Sequence, residues 1–369
     1  MAKIPFRYDT VGSFLRPQEL KTARQDFENG KISAEQLKAV EDKCITELIE
    51  KHKAAGLYAI TDGEFRRATW HLDFMWGFNG VGHSKTKTGL PFVGEAAMID
   101  DTYLTGKVSV DKHPFVEHFK FVKQFEDENT VAKQTIPAPA QFLEQMIMPF
   151  ALENTSKYYS STEDLIQDIA NGYKKVIRDL YDAGCRNLQF DDCSWGMLVD
   201  SRAKEFFGTD EAGLEKIKEQ LLRINNLAIE GKPDDLTIAT HVCRGNFHST
   251  YASSGAYDAV AQTLLARENV DAFYLEFDDE RSGGFKPLAS IPDGKKVVLG
   301  LVTTKSPKLE NKSDLIGRVR SASDYIPLDH ICLSPQCGFA SCEIGNKLTE
   351  DEQWAKVALV KSTAEDIWS

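Results

Sequence analysis

The chain has 369 residues, 42% hydrophobic and 27% charged, with a formal net charge of -12. That balance is globular and excludes collagen, coiled coil and wholesale disorder. The acidity excludes a general nucleic-acid binder, which needs a basic face for the phosphates.

In chain order, residues 1–5 hold no long apolar run, so no secretory leader is expected. No later stretch reaches the roughly 18 apolar residues of a membrane span, and the cytoplasm is the expected compartment. Short β-branched or aromatic runs then alternate with longer helical patterns. Residues 6–11 read as a strand. Residues 34–55 read as a helix, with Ser33 as N-cap and Gly56 just past its end. Strands are expected at 57–61 and at 131–136, the latter stopped by Pro137 and Pro139. A long amphipathic helix at 162–183 ends at Gly184, followed by a strand at 187–190. Next come a helix at 211–230, a strand at 236–240, a helix at 256–267 and a strand at 272–275. The series closes with strands at 296–301 and 330–333 and helices at 313–323 and 350–367.

Eight strands separated mostly by helices imply parallel strands joined by helical crossovers. That number favours a single-domain α/β fold, a closed (β/α)8 TIM barrel, over an open doubly wound sheet. Residues 73–127 are too many for one crossover. With Phe92, Val108 and Val110 among its apolar positions, this segment reads as an inserted hairpin or lid after the second strand. A barrel places its chemistry just past the strand ends. Gly12, Ser13, Asp62, Glu64, Asp191, Asp192, His241, Cys243, Glu276 and Cys337 all fall there.

Seven cysteines, an odd number, argue against a disulfide framework and leave thiols free as nucleophiles or ligands. In Thr240-His241-Val242-Cys243, strand alternation turns His241 and Cys243 to one side. Imidazole and thiolate together suit zinc. Glu276, ending the next strand, and Cys337, following the last, complete a tetrahedral set. The alternatives stay open: Cys243 as a small buried hydrophobe, or Glu276 in a salt bridge to Arg244 or Arg281. Two thiolates make a metal electron-rich, a poor activator of water but a good binder of a third thiol. Zinc lowers that thiol's pKa, which points to alkyl transfer to sulfur.

Thr240-His241-Val242-Cys243, Glu276 and Ser334-Pro335-Gln336-Cys337-Gly338-Phe339 together resemble the catalytic half of cobalamin-independent methionine synthase. The similarity is greater still to the short single-barrel members of that family. The resemblance implies zinc on His241, Cys243, Glu276 and Cys337, and homocysteine as the thiol. It implies that the turn at Gly12 and Ser13 holds the substrate carboxylate, and that Glu64 and Asp191 hold its ammonium. A folate methyl donor is implied as well. Three departures bear on that donor. The length leaves no room for the second, folate-binding barrel. The family's pterin-stacking Trp is absent from residues 136–142, leaving Phe142, Trp70, Trp76 or Trp195 as substitutes. The family's acid His is replaced by Val302-Thr303-Thr304-Lys305, leaving Lys305 or His248 as candidate general acid. Other readings keep the zinc and change the rest: a methyl-corrinoid donor, another thiol, or a non-catalytic zinc barrel.

Overall fold

The computed structural model describes residues 4–86 and 89–369. Its strands are β1 (Ala59–Ile60), β2 (Asn79–Ser84), β3 (Leu90–Phe92), β4 (Glu95–Ala97), β5 (Asp101–Ser109), β6 (Val131–Pro137), β7 (Asn187–Asp192), β8 (Thr237–Val242), β9 (Ala272–Glu276), β10 (Lys296–Val302) and β11 (Ile331–Pro335). β1 and β6–β11 form one seven-stranded sheet in the order β1-β6-β7-β8-β9-β10-β11. Every pairing in it is parallel. Strand alternation separates its two faces. Phe273, Leu275, Val297, Leu299, Ile331 and Leu333 join the large core under the helices. Ala272, Tyr274, Val298 and Cys332 form a second, smaller cluster on the other face. That curled parallel sheet is consistent with a TIM-like barrel.

Of the eight expected strands, the segment 6–11 makes no ladder. Tyr8 bridges to Leu333 of β11, and the N–H of Asp9 donates to the carbonyl of Leu333 at 3.0 Å. Beyond that, side chains take the carbonyls that a ladder would use. Lys133 Nζ donates to Thr10 O at 2.7 Å, Gln189 Nε2 to Val11 O at 2.8 Å and Thr61 Oγ1 to Gly12 O at 2.8 Å. The segment 256–267 also departs from the expected α-helix. It is a 3-10 turn, Tyr257–Ala259, followed by a π turn, Ala261–Leu265. The Ala259 carbonyl accepts from Lys218 Nζ at 3.1 Å, and the Tyr257 hydroxyl from Arg244 at 2.7 Å. The Lys218 bond takes a backbone carbonyl that the α ladder would use.

The helices match their capping signals. Ser33 and Gln36 form a capping box on Ala34–Ala54, and Gly56 follows at φ 75°. Ser161 caps Thr162–Asp182, whose Leu165, Ile169, Tyr173, Val176 and Leu180 are buried. Between β1 and β6 lie two antiparallel pairs, β2 with β5 and β3 with β4. The free edge of β5 is satisfied by side chains. Asn154 exchanges two hydrogen bonds with Leu104, and the Val108 N–H donates to the Tyr159 hydroxyl. Among the described residues no helix is long and apolar enough to cross a membrane.

Candidate metal centre and adjoining pocket

Two adjacent strands and the loop after β11 converge on a single point. β8 carries His241 and, one residue past its end, Cys243; β9 ends on Glu276; Cys337 lies two residues past β11. The four residues are buried, and their donor atoms all lie within 4.8 Å of one another. The Sγ atoms of Cys243 and Cys337 are 3.7 Å apart. A tetrahedral zinc with bonds to sulfur of about 2.3 Å has an S···S edge of about 3.8 Å. Both ring nitrogens of His241 and Glu276 Oε2 are buried without a hydrogen-bond partner. Orphaned buried polar atoms are costly, and a shared cation would take Glu276 Oε2 and one ring nitrogen of His241 together. The residues therefore fit a metal ion.

Neighbours aim the donors. The Arg244 N–H donates to Glu276 Oε1 at 3.1 Å, leaving Oε2 to face the cluster. The Gly245 N–H donates to Cys243 Sγ at 3.3 Å. Burial raises the Glu276 carboxyl, but Lys305, Arg244, His241 and Arg281 outweigh it and hold the group below the usual carboxylate range. The Cys337 thiol is pushed well up by its hydrogen bond to Cys243 and by burial. A divalent cation reverses that balance and holds such thiols as thiolates.

A narrow pocket opens onto the two thiols. Glu64 and Asp191 line it with Ser13, Trp70, Cys193 and Asn246. Glu64 sits at φ 62° after Gly63, a strained conformation for a non-glycine residue. Glu64 Oε1 accepts from Thr135 Oγ1 at 3.1 Å and lies 3.5 Å from Arg67 Nη1; Oε2 is buried and unpartnered. Asp191 Oδ1 accepts from Gln189 at 2.7 Å. Burial pushes Glu64 up to about 7; Arg67 opposes this and the Asp191 charge adds to it. Burial likewise pushes Asp191 up to about 7, against Gln189, Arg67 and Lys133. Two buried carboxyls at one pocket favour a cationic guest.

The other expected site residues divide. Ser13 lines the pocket, clamped by the loop after β11: Phe339 N donates to its carbonyl at 2.9 Å and Ala340 N to its Oγ at 3.3 Å. Gly12 stands behind it at φ 138°, where an added Cβ would lie 2.7 Å from Thr135 Cγ2. Lys305 Nζ is buried and unpartnered. Burial lowers its pKa, yet Glu276, Asp278 and Cys337 together raise it above the usual lysine value. His248 is not brought to the pocket. It sits at φ 47° with Nδ1 3.1 Å from Glu95 of β4. Of the aromatic substitutes, Trp70 reaches the pocket. Phe142 and Trp195 are buried in the core, and Trp76 stacks on His83 at 3.8 Å.

Residues outside the expected set also build the site. Asn246 Nδ2 donates to Gly338 O at 2.7 Å, and Asn346 Nδ2 to Asn246 Oδ1 at 2.9 Å and to Thr304 O at 2.9 Å. Together they tie the loops after β8, β10 and β11. No local pattern marks them. Cys193 carried a usable signal, since it lies two residues past Asp191 and so on the same face.

Residues 6–358 match the family model of the cobalamin-independent synthase catalytic domain. The uncharacterized protein YxjH of Bacillus subtilis is 43% identical over 99% of this chain and 96% of its own length. A Listeria monocytogenes structure, assigned as a vitamin-B12-independent methionine synthase, is 36% identical with a TM-score of 0.78, covering 99% of this chain and 98% of that one. A B12-independent methionine synthase from Shewanella sp. W3-18-1, solved with selenomethionine, shares the fold at 20% identity and a TM-score of 0.72, covering 98% and 97%. The chain thus belongs to the cobalamin-independent methionine synthase family, in the part of it that carries the catalytic domain.

Proposed function

We propose that the chain is a zinc-dependent methyltransferase that moves a methyl group from 5-methyltetrahydrofolate, or its polyglutamate, to the thiol of homocysteine. The observation that carries this reading is the buried His241, Cys243, Glu276 and Cys337 set opening onto a pocket with two carboxyls. Zinc, held by these four residues, supplies a low pKa for an incoming thiol, so that it is present as thiolate at neutral pH. The chain's own residues do the rest. Glu64 and Asp191 hold the substrate ammonium, charge against charge. Ser13 and the backbone at Gly12 receive the carboxylate. Their positions align the thiol for in-line attack on the donor methyl. The antiparallel pairs of 73–127 act as a lid. Phe92 of β3 meets Phe247 at 5.5 Å between ring centroids, and Val93 N donates to Tyr251 O at 2.9 Å. The selenomethionine on the Shewanella protein resembles the product of such a transfer.

Methyl on a tertiary amine is a poor electrophile and needs a general acid. Lys305, buried beside Glu276 and Asp278, is the candidate the geometry favours over His248. A methyl-corrinoid donor is the second reading, favoured by the burial of Phe142, which leaves the expected stacking position without an aromatic face.

Zinc-loaded protein with homocysteine and, in turn, 5-methyltetrahydrofolate, its polyglutamate and methylcobalamin decides the donor. Methionine from either folate supports the first reading and methionine from methylcobalamin alone the second. Methionine from none overturns methyl transfer by these donors.

A further inference from the structure

β7 and β8 run in register, with Asp191 opposite His241 and Asp192 opposite Val242. The next pair in that register is Cys193 and Cys243. The backbones stay joined there, because the Cys243 N–H donates to Asp192 O at 2.9 Å. Neighbouring strands lie about 4.8 Å apart, and disulfides span Cα separations of about 4.4–6.8 Å. Alternation turns Cys193 to the side of Asp191 and Cys243 to the side of His241, and all four line the pocket. Gln141 Oε1 accepts the Cys193 N–H at 2.9 Å and fixes the backbone at that point. Cys193 is half-buried and stands outside the four-residue donor set. It is therefore a pocket thiol that a metal on the other two cysteines leaves uncovered.

We propose that Cys193 and Cys243 form a reversible redox pair at the mouth of the metal centre. A hydroperoxide reaching the pocket is attacked by Cys193 sulfur. The O–O bond breaks, Cys193 becomes a sulfenic acid, and hydrogen peroxide leaves as water. Cys243 thiolate then attacks that sulfur; the S–O bond breaks, hydroxide leaves, and the disulfide forms. Two electrons have passed from two cysteines to one peroxide. A dithiol reductant returns them and restores both thiols. Cys243 and Cys337 are also close enough to pair, but a shared cation occupies both, so the first oxidation falls on Cys193. The disulfide rests on strand register; the loss of metal that follows rests on the metal reading proposed above.

The test uses the zinc-loaded chain, a few equivalents of hydrogen peroxide, non-reducing peptide mass spectrometry and a chromogenic chelator for released zinc. The expected map joins Cys193 to Cys243, with zinc released in step and both changes reversed by dithiothreitol. Cys193→Ser, or Cys193→Ala as a second variant, should slow zinc release at least tenfold. A Cys243–Cys337 disulfide, Cys193 oxidised without a bond to Cys243, or unchanged zinc release in both variants overturns the pair. The map of the parent chain needs no variant to fold. A protein that takes up no zinc counts against the metal reading alone, and its disulfide map still decides the pair by the same criterion.

Discussion

Two buried carboxyls facing one pocket repel each other unless a proton or a cation lies between them. Glu64 and Asp191 are in that position, and burial brings both up to about 7. The pair titrates as a unit and shares protons near neutral pH. The folded chain thus binds more protons than the unfolded chain from about pH 4 to about pH 7, so this pair's contribution to stability falls as pH rises through that window. Ligand binding runs the other way, because an ammonium needs the ionised pair. Methionine is a suitable probe, since it carries the ammonium and no thiol. Its affinity by calorimetry should rise about 3- to 10-fold from pH 6 to pH 8, one pKa unit being 1.36 kcal/mol. Glu64→Gln should weaken methionine at least tenfold and flatten that rise while zinc content holds. A flat profile in the parent, or zinc lost with Glu64, would contradict the pocket assignment. Thr135 links this site to Gly12, since its Oγ1 donates to Glu64 and its Cγ2 blocks any side chain at Gly12.

At the scale of elements, the site is held by loops that lean on one another. The β3–β4 hairpin meets the loop after β8 through the Phe92–Phe247 pair, Val93 N to Tyr251 O, and His248 against Glu95. Ala97, Phe247 and Cys342 make a small core of their own there. An aromatic pair is worth about 0.5–1.5 kcal/mol beyond its area. Phe92→Ala should therefore speed amide exchange across 244–253 by about 2- to 10-fold, read by mass spectrometry, and leave β6–β11 unchanged. Equal exchange in both proteins would show that the hairpin does not hold that loop. The same elements mark where the sequence was readable. Ser33 and Gly56 announced their helix because caps are local chemistry. The segment 6–11 has a strand's pattern, yet Lys133 and Gln189 take its last carbonyls, at Thr10 and Val11. The segment 256–267 has a helix's pattern, yet Lys218 takes the Ala259 carbonyl from the α ladder. Both outcomes depend on donors far away in the chain, which no local window contains.

Across the whole molecule, the rule that chemistry lies past the strand ends made most of the site legible. His241, Cys243, Glu276 and Cys337 come from three separate segments and meet within 4.8 Å. Asn246 and Asn346 were not legible, because loop crossings bring them in and no periodicity records a crossing. The net charge of -12 sets no feature of the site, which is built from buried groups. The central claim is that the metal on these four residues receives the substrate sulfur. Zinc K-edge X-ray absorption of the loaded protein, without and with homocysteine, tests it directly. The expected spectra show two sulfurs and two lighter ligands in the free protein, and a third sulfur when homocysteine is bound. A shell unchanged by saturating homocysteine would contradict thiol activation at this centre.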